Sequence, residues 1–229
     1  MRESDFSLLK TLTCLSKAHP WHGVSIGSDA PNIVTCYIEI VPTDTVKYEI
    51  DKVSGHLRID RPQKYSSQCP MPYGFIPQTL CSTRVGQFSS EHTHASGTKG
   101  DGDPIDICII TEKQIQHGEV LAKAIPIGGI RMVDQNQADD KIIAVLFEDG
   151  LYGHWRDIYE CPKNMIERLR HYFLTYKDMP GRERRVGVAE VYGAEEARAV
   201  IGASREDYLE QFGDVETFLQ RLKEAGLAP

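Results

Sequence analysis

The sequence has no long apolar run, no surplus of positive charge, no paired-cysteine motif and no nucleotide-binding loop. Each absence removes a class of function. The first residues, "MRESDFSLLKTLTCLSK", are interrupted by polar side chains, so neither a signal peptide nor a membrane span is expected. They read as part of a soluble N-terminal extension over residues 1–31. The net charge is −7 and the pI near 5.6, which disfavours nucleic acid or an anionic membrane as the main partner. A small anion can still bind in a local basic pocket or through metal ions. None of the six cysteines, Cys14, Cys36, Cys69, Cys81, Cys108 and Cys161, belongs to a CxxC pair. Reduced, mostly buried thiols and a cytoplasmic location are expected. There is no G-x-x-x-x-G-K-[ST], no G-x-S-x-G, no internal repeat and no low-complexity tract.

What is present is ordinary globular composition: 229 residues, 41% hydrophobic and 26% charged, which fits one domain over 1–229. "NIVTCYIEIV" (Asn32–Val41) alternates and is β-branched, as a strand does. Thr45–Asp51 and His56–Asp60 flank a hairpin turn signal, "KVSG". "MPYGFIPQ" is too rich in proline and glycine for regular structure. Arg84–Gly100 is polar and aperiodic and is expected to be a long exposed loop. Strands follow at Ile105–Ile110, Glu119–Pro126 and Lys141–Phe147. The period then becomes helical: Met165, Ile166, Leu169, Tyr172, Phe173 and Tyr176 share one face. A helix over Gly193–Ser204 and one or two more make residues 193–229 a helical C-terminal segment. Strands first and helices last mean α+β, and several short strands suggest a small closed β-barrel with helices packed outside.

"KGDGDPIDICII" carries the chemistry. Asp101, Asp103 and Asp106 fall within six residues at the mouth of an apolar strand. Two carboxylates about 4 Å apart repel by roughly 4 kcal/mol at an effective dielectric near 20. Gly100, Gly102 and Pro104 shape a rigid turn, and a rigid acidic turn on a sheet is how an oxygen-ligand cation site is built. A second acidic turn holds Asp134, Asp139 and Asp140, with Lys141 opening the next strand. An EF-hand register fails: Pro104, Ile105 and Asp106 occupy loop positions 4, 5 and 6, and the sixth requires glycine. His92 and His94 lie in a polar stretch without partner spacing and read as surface residues.

Lys47 and Glu49 share a strand face, Glu39 lies on the preceding strand, Arg61 ends the third, and Tyr73 sits in the Pro/Gly segment. Tyr176 and Lys177 end the first helix. Taken in order, "YIEI…KYEID…G…IDR", "PYGFIPQT", "DGDPIDI", "PIGGIRMVDQNQADDKIIAV" and "HYFLTYKD" resemble the soluble family I inorganic pyrophosphatases over roughly Ile33 to Asp178.

The resemblance implies an OB-like closed barrel with flanking helices, and Mg²⁺-dependent hydrolysis of inorganic pyrophosphate to two phosphates, with several Mg²⁺ per active site. It assigns Asp101, Asp106 and Asp139 as principal metal ligands and Asp134 to a further, substrate-associated metal. Glu39 and Glu49 match acids that reach metals through water or orient neighbours. Asp103 matches the general base near the attacking water, and Tyr73 a hydroxyl close to that nucleophile. Lys47, Arg61, Lys141, Tyr176 and Lys177 match groups that hold phosphate. A homo-oligomer, with no nucleic-acid or membrane partner, is the family expectation. Many members carry tyrosine where Cys69 stands, so Cys69 is left out of the site. Two other functions compete: a different metal-dependent phosphoesterase, and an inactive OB-type binding module. The acidic charge and the lack of a basic-aromatic groove weigh against the second.

Overall fold

The computed structural model describes residues 17–93, 97–177, 186–224 and 226. Among these described residues ten strands and four α-helices alternate irregularly in an α+β arrangement. The strands β1 (Val34–Ile40), β2 (Val46–Ile50), β3 (Leu57–Pro62) and β4 (Tyr73–Phe75) come first. Helix α1 (Thr83–Thr93) follows, then β5 (Lys99–Gly100), β6 (Asp106–Ile110), β7 (Val120–Asp134), β8 (Gln137–Ala138) and β9 (Lys141–Leu146). The chain ends with α2 (Lys163–Thr175), β10 (Val186–Gly193), α3 (Ala194–Phe212) and α4 (Val215–Glu224).

Eight strands form one sheet, and β2 and β3 form a separate hairpin. In the large sheet β1 pairs with β4, β4 with β6, β6 with β9 and β9 with β7. The first part of β7 pairs back with β1, and its far end pairs with β10 and β8. The β6–β9 pair is parallel and sets Asp106 opposite Lys141. The isoleucine-rich strands β6 and β9 are buried on both faces, as a central pair covered by helices requires. One side packs on α1 and α3 through Val85, Ala197, Val200 and Ile201. The other packs on α2 through Ile166, Leu169 and Phe173. No helix among the described residues is long and apolar enough to cross a membrane.

Two expectations are corrected. Residues 84–100 do not form a long loop: their first half is α1. Its start is capped from far along the chain, because the Asp207 carboxylate accepts hydrogen bonds from the amides of Ser82 (3.1 Å), Arg84 (3.1 Å) and Val85 (3.3 Å). A local reading cannot see a cap supplied 120-odd residues later. Val85, Gly86 and Ser89 bury one face of that helix. His94 lies outside the described residues. "MPYGFIPQ" is not wholly irregular either: Tyr73–Phe75 is a short strand between β1 and β6. Its centre must be glycine, because a Cβ on Gly74 would lie 1.8 Å from the Tyr37 carbonyl oxygen. We expect Gly74→Ala to destabilise the fold by more than about 2 kcal/mol, read as a fall in the urea midpoint at unchanged m-value; an unchanged midpoint would refute the strand packing.

The five described cysteines, Cys36, Cys69, Cys81, Cys108 and Cys161, are free and buried. Cys14 and Asp178 lie outside the described residues, as does the opening stretch through residue 16. In the C-terminal segment α3 runs unbroken to Phe212 and α4 follows. Strand β10, immediately before α3, was not anticipated; it pairs from Val186 to Gly193 with the second half of β7, Asp134 back to Gly128.

Candidate active site

All thirteen side chains to which the family resemblance assigns a role line one cleft of about 320 Å³. Six structural units deliver them, with β4 supplying Tyr73. The β2–β3 hairpin supplies Lys47, Glu49 and Arg61; Lys47 and Arg61 are direct cross-strand partners, so the cations stand side by side. Strand β1 supplies Glu39. The turn before β6 supplies Asp101, Asp103 and Asp106. The region from the end of β7 to the start of β9 supplies Asp134, Asp139 and Lys141, and the end of α2 brings Tyr176 and Lys177.

The acidic turn is built to hold its shape. Gly102 sits at φ +80°, a left-handed conformation that favours glycine. The Asp103 amide donates to Asp101 Oδ1 (2.9 Å), the Gly102 amide to the Cys81 carbonyl (2.9 Å), and the Cys81 amide to the Asp103 carbonyl (2.7 Å). The Ile105 amide donates to Thr79 Oγ1 at 3.0 Å. The carboxylates therefore project from a clamped backbone.

Charge is balanced pairwise across the cleft. Lys141 is almost wholly buried and bonds both Asp106 and Asp139. Burial alone would lower its pKa, but those two carboxylates hold it well above the ordinary lysine range. Lys177 reaches Asp134 at 2.7 Å. Lys47 pairs with Glu49 (3.0 Å) and Asp60 (3.1 Å), and Arg61 pairs with Asp60. Burial raises the Asp101 carboxyl to about 7, with Asp103 and Asp106 adding repulsion against the hydrogen bond from the Asp103 amide. Burial also raises Glu39 to about 8, although the Ile50 amide donates to it at 2.7 Å. Desolvation, then the charge of Asp106, pushes the Tyr73 phenol well above its usual range.

Among the described residues no three His, Cys, Asp or Glu side chains stand in a ready metal-holding arrangement. Lysines stand between the acids instead. The donor set nevertheless fits a hard divalent cation: every candidate ligand is a carboxylate oxygen. Asp134, one of this set, keeps its Oδ1 buried without a hydrogen-bond partner, so a carboxylate lone pair is left unused. Asp101 and Glu39, reluctant to ionise alone, are the acids that a nearby cation would most favour as anions.

Three contributors were missed in the sequence. Lys52, at the tip of the β2–β3 hairpin, lines the cleft and ion-pairs with Asp103. Asp60 holds both Lys47 and Arg61, and Gln137 of β8 lines the wall. The hairpin signal was the clue to Lys52: a turn that carries two site residues on one strand face also carries its tip to the same opening. Cys69 is outside the cleft lining, buried against Tyr172 and Cys108.

The sequence profile of the Pyrophosphatase family, described as inorganic pyrophosphatase, matches residues 36–209. An "Inorganic pyrophosphatase" of Chlamydia trachomatis is 47% identical over 205 residues, 87% of this chain and 98% of that protein. A "Soluble inorganic pyrophosphatase" of Oryza sativa is 39% identical over 191 residues, 83% of this chain and 79% of that one. The crystal structure of inorganic pyrophosphatase from Thermus thermophilus superposes with a TM-score of 0.70 at 27% identity, covering 83% of this chain and 99% of that one.

Proposed function

The chain belongs to the inorganic pyrophosphatase family and is a hydrolase acting on pyrophosphate, and we propose that the cleft described above is where it does so, with Mg²⁺ as its divalent cofactor. The observation that carries the site assignment is the convergence in one cleft of six metal-type carboxylates, a further carboxylate placed as base and five cations. A substrate with negative charge at both ends and no apolar part needs that composition.

Asp101, Asp106, Asp139 and Asp134 would hold the ions, with Glu39 and Glu49 behind them. Bound Mg²⁺ would supply positive charge to the phosphate oxygens and acidify a water molecule. Lys47 and Arg61 on the hairpin, and Lys141 and Lys177 opposite, grip the two phosphoryl groups, with the Tyr176 hydroxyl beside them. Phosphoryl transfer asks mainly for this positioning and charge stabilisation. Asp103 takes the proton of the attacking water; it projects from the clamped turn with half its side chain open to the cleft. The Tyr73 hydroxyl bonds Asp106 and keeps its proton, so it serves as a donor and not as a base.

A nucleotide-directed phosphoesterase is less well supported. Three rings line the cleft, and each is already engaged: Tyr73 packs on Phe173 (5.9 Å), Phe75 on Tyr37 (5.3 Å), and Tyr176 stacks on Tyr172 (5.2 Å). A substrate panel tests the choice. With Mg²⁺ present, pyrophosphate should be hydrolysed at least 10²-fold faster than nucleoside triphosphates or p-nitrophenyl phosphate, about 2.7 kcal/mol of discrimination; equal rates would favour the phosphoesterase.

The circuit of pairings that leaves β1 through β4 and returns to it from β7 supports the reading of a closed OB-like barrel. The free, buried thiols support a cytoplasmic location. Exposed Leu121 and Tyr159 are suited to contacts in a homo-oligomer.

Stability should depend on pH and on metal together. Above about pH 7.5 the half-buried His19 and His22 are almost wholly neutral in both folded and unfolded chains, so they add little slope there. Asp101 and Glu39 in the folded state still hold protons that the unfolded chain has lost. The folded state binds more protons, so stability falls as pH rises through about 7 and about 8. We expect the melting temperature in chelator to fall between pH 7.5 and 8.5, and millimolar Mg²⁺ to raise it more at the higher pH. A Mg²⁺ effect that is absent, or larger at pH 7.5, would contradict the assignment of these acids to the metal site.

A further inference from the structure

Behind the cleft lies a cluster of buried charge that the chemistry above does not use. Arg131, on β7, has no solvent exposure. Its guanidinium lies between the rings of Tyr192 (4.8 Å) and Phe88 (5.5 Å). Nη1 donates to Glu190 Oε2 at 2.9 Å, Nη2 donates to Glu196, and Nε stands 3.8 Å from Asp140 Oδ2. The Tyr192 hydroxyl donates to that same Asp140 oxygen at 3.0 Å. Asp140 is 3% exposed and takes no part in the cleft lining.

The placement of Asp140 gives the cluster its meaning. It stands between Asp139 and Lys141, both of which line the cleft. Extended backbone sends successive side chains to opposite sides. As Asp139 and Lys141 turn toward the cleft, Asp140 turns into the protein and meets Arg131 and Tyr192. The Asp139 amide also donates to the Met132 carbonyl at 3.0 Å, next to Arg131. The stretch from Asp134 to Lys141 is thus anchored from behind to β7, β10, α1 and α3. Were the cluster needed only to join α3 to the sheet, apolar side chains would serve as well, since a buried ion pair is weak support for stability by itself.

We propose that Asp140, held by Arg131 and Tyr192, is a positioning residue that fixes the Asp134–Lys141 segment and thereby sets the affinity of the cleft for divalent cations. This inference rests on the reading of the cleft as a divalent-cation site. Groups that orient metal ligands without touching the metal typically change its affinity 10–100-fold when altered.

The test is calorimetric titration of Mg²⁺ into metal-free protein, for wild type, Asp140→Asn and Tyr192→Phe, with the melting temperature of each metal-free protein measured alongside. Neither variant alters a residue of the cleft. The expected result is a dissociation constant about 10-fold or more weaker in Asp140→Asn, a smaller shift in the same direction in Tyr192→Phe, and a lost affinity that does not track the change in melting temperature. Dissociation constants within twofold of wild type in both variants, whatever their melting temperatures, would overturn the proposal and leave the cluster a structural tie. If Asp140→Asn does not fold, Tyr192→Phe decides by the same criterion. A wild-type protein that takes up no Mg²⁺ would overturn the cation-site reading itself, a result distinct from unchanged variants.

Discussion

Asp103→Asn lowers kcat for pyrophosphate by about 10²–10⁴-fold, the usual contribution of a positioned base, and leaves the melting temperature within about 2 °C, a change of under 1 kcal/mol for a chain of this size. The two halves of this expectation come from different observations. Asparagine matches the shape of aspartate but cannot accept the proton of the attacking water. The part of Asp103 that supports the fold is its backbone: its amide bonds Asp101 and its carbonyl receives the Cys81 amide. The side chain is about half exposed and pairs with Lys52, also exposed, and such pairs contribute little. KM should change far less than kcat, because the cations that grip the phosphates are untouched. A kcat within threefold of wild type would remove Asp103 from the base role.

Lys141→Met has the largest expected effect on the fold itself. Lys141 is nearly inaccessible and is the cation between Asp106 and Asp139. Removing one partner of a buried pair typically costs 3–5 kcal/mol, because the remaining charge is left without compensation. For a chain of this size that corresponds to a drop of roughly 6–20 °C in melting temperature. The loss should be worst in chelator. Millimolar Mg²⁺ should recover much of it, since a divalent cation neutralises the same two carboxylates. Hydrolysis should fall as well, because Lys141 is also placed to hold phosphate. An equal drop with and without Mg²⁺ would separate Lys141 from the cation site, and no drop at all would refute its burial between two charges.

The fold and the site differed in how far the sequence revealed them. The strands with alternating or β-branched runs, β1, β2, β3, β6 and β9, were visible because burial on a pleat imposes a period of two. Helix α2 was visible because Ile166, Leu169 and Phe173 repeat at helical spacing toward the sheet. Helix α1 was not, because its sequence is rich in serine and threonine and its cap comes from Asp207 in α3. Tertiary contact there outweighs local preference. The full length of β7 was hidden for a similar reason. It bends at the Pro126–Gly128 irregularity and changes partners along its course, so no single local pattern covers it.

The site was the more legible part. Carboxylates at the ends of strands are costly unless a cation is provided for, so their positions are informative one by one. The resemblance to the pyrophosphatases then assigned the roles, and the cleft brings all thirteen residues together. What escaped were partners whose importance depends on geometry alone: Lys52 at a hairpin tip, Asp60 between two cations, and the Arg131–Asp140–Tyr192 cluster on the hidden side of an acidic turn.

Phosphate release from pyrophosphate, measured in chelator and then across a Mg²⁺ titration, tests the central claim most directly. The cleft described here predicts almost no release in chelator. It predicts a rise with Mg²⁺ to a turnover in the usual range of about 1–10³ s⁻¹. Release at the same rate with and without the divalent cation would contradict the claim that these carboxylates exist to hold it.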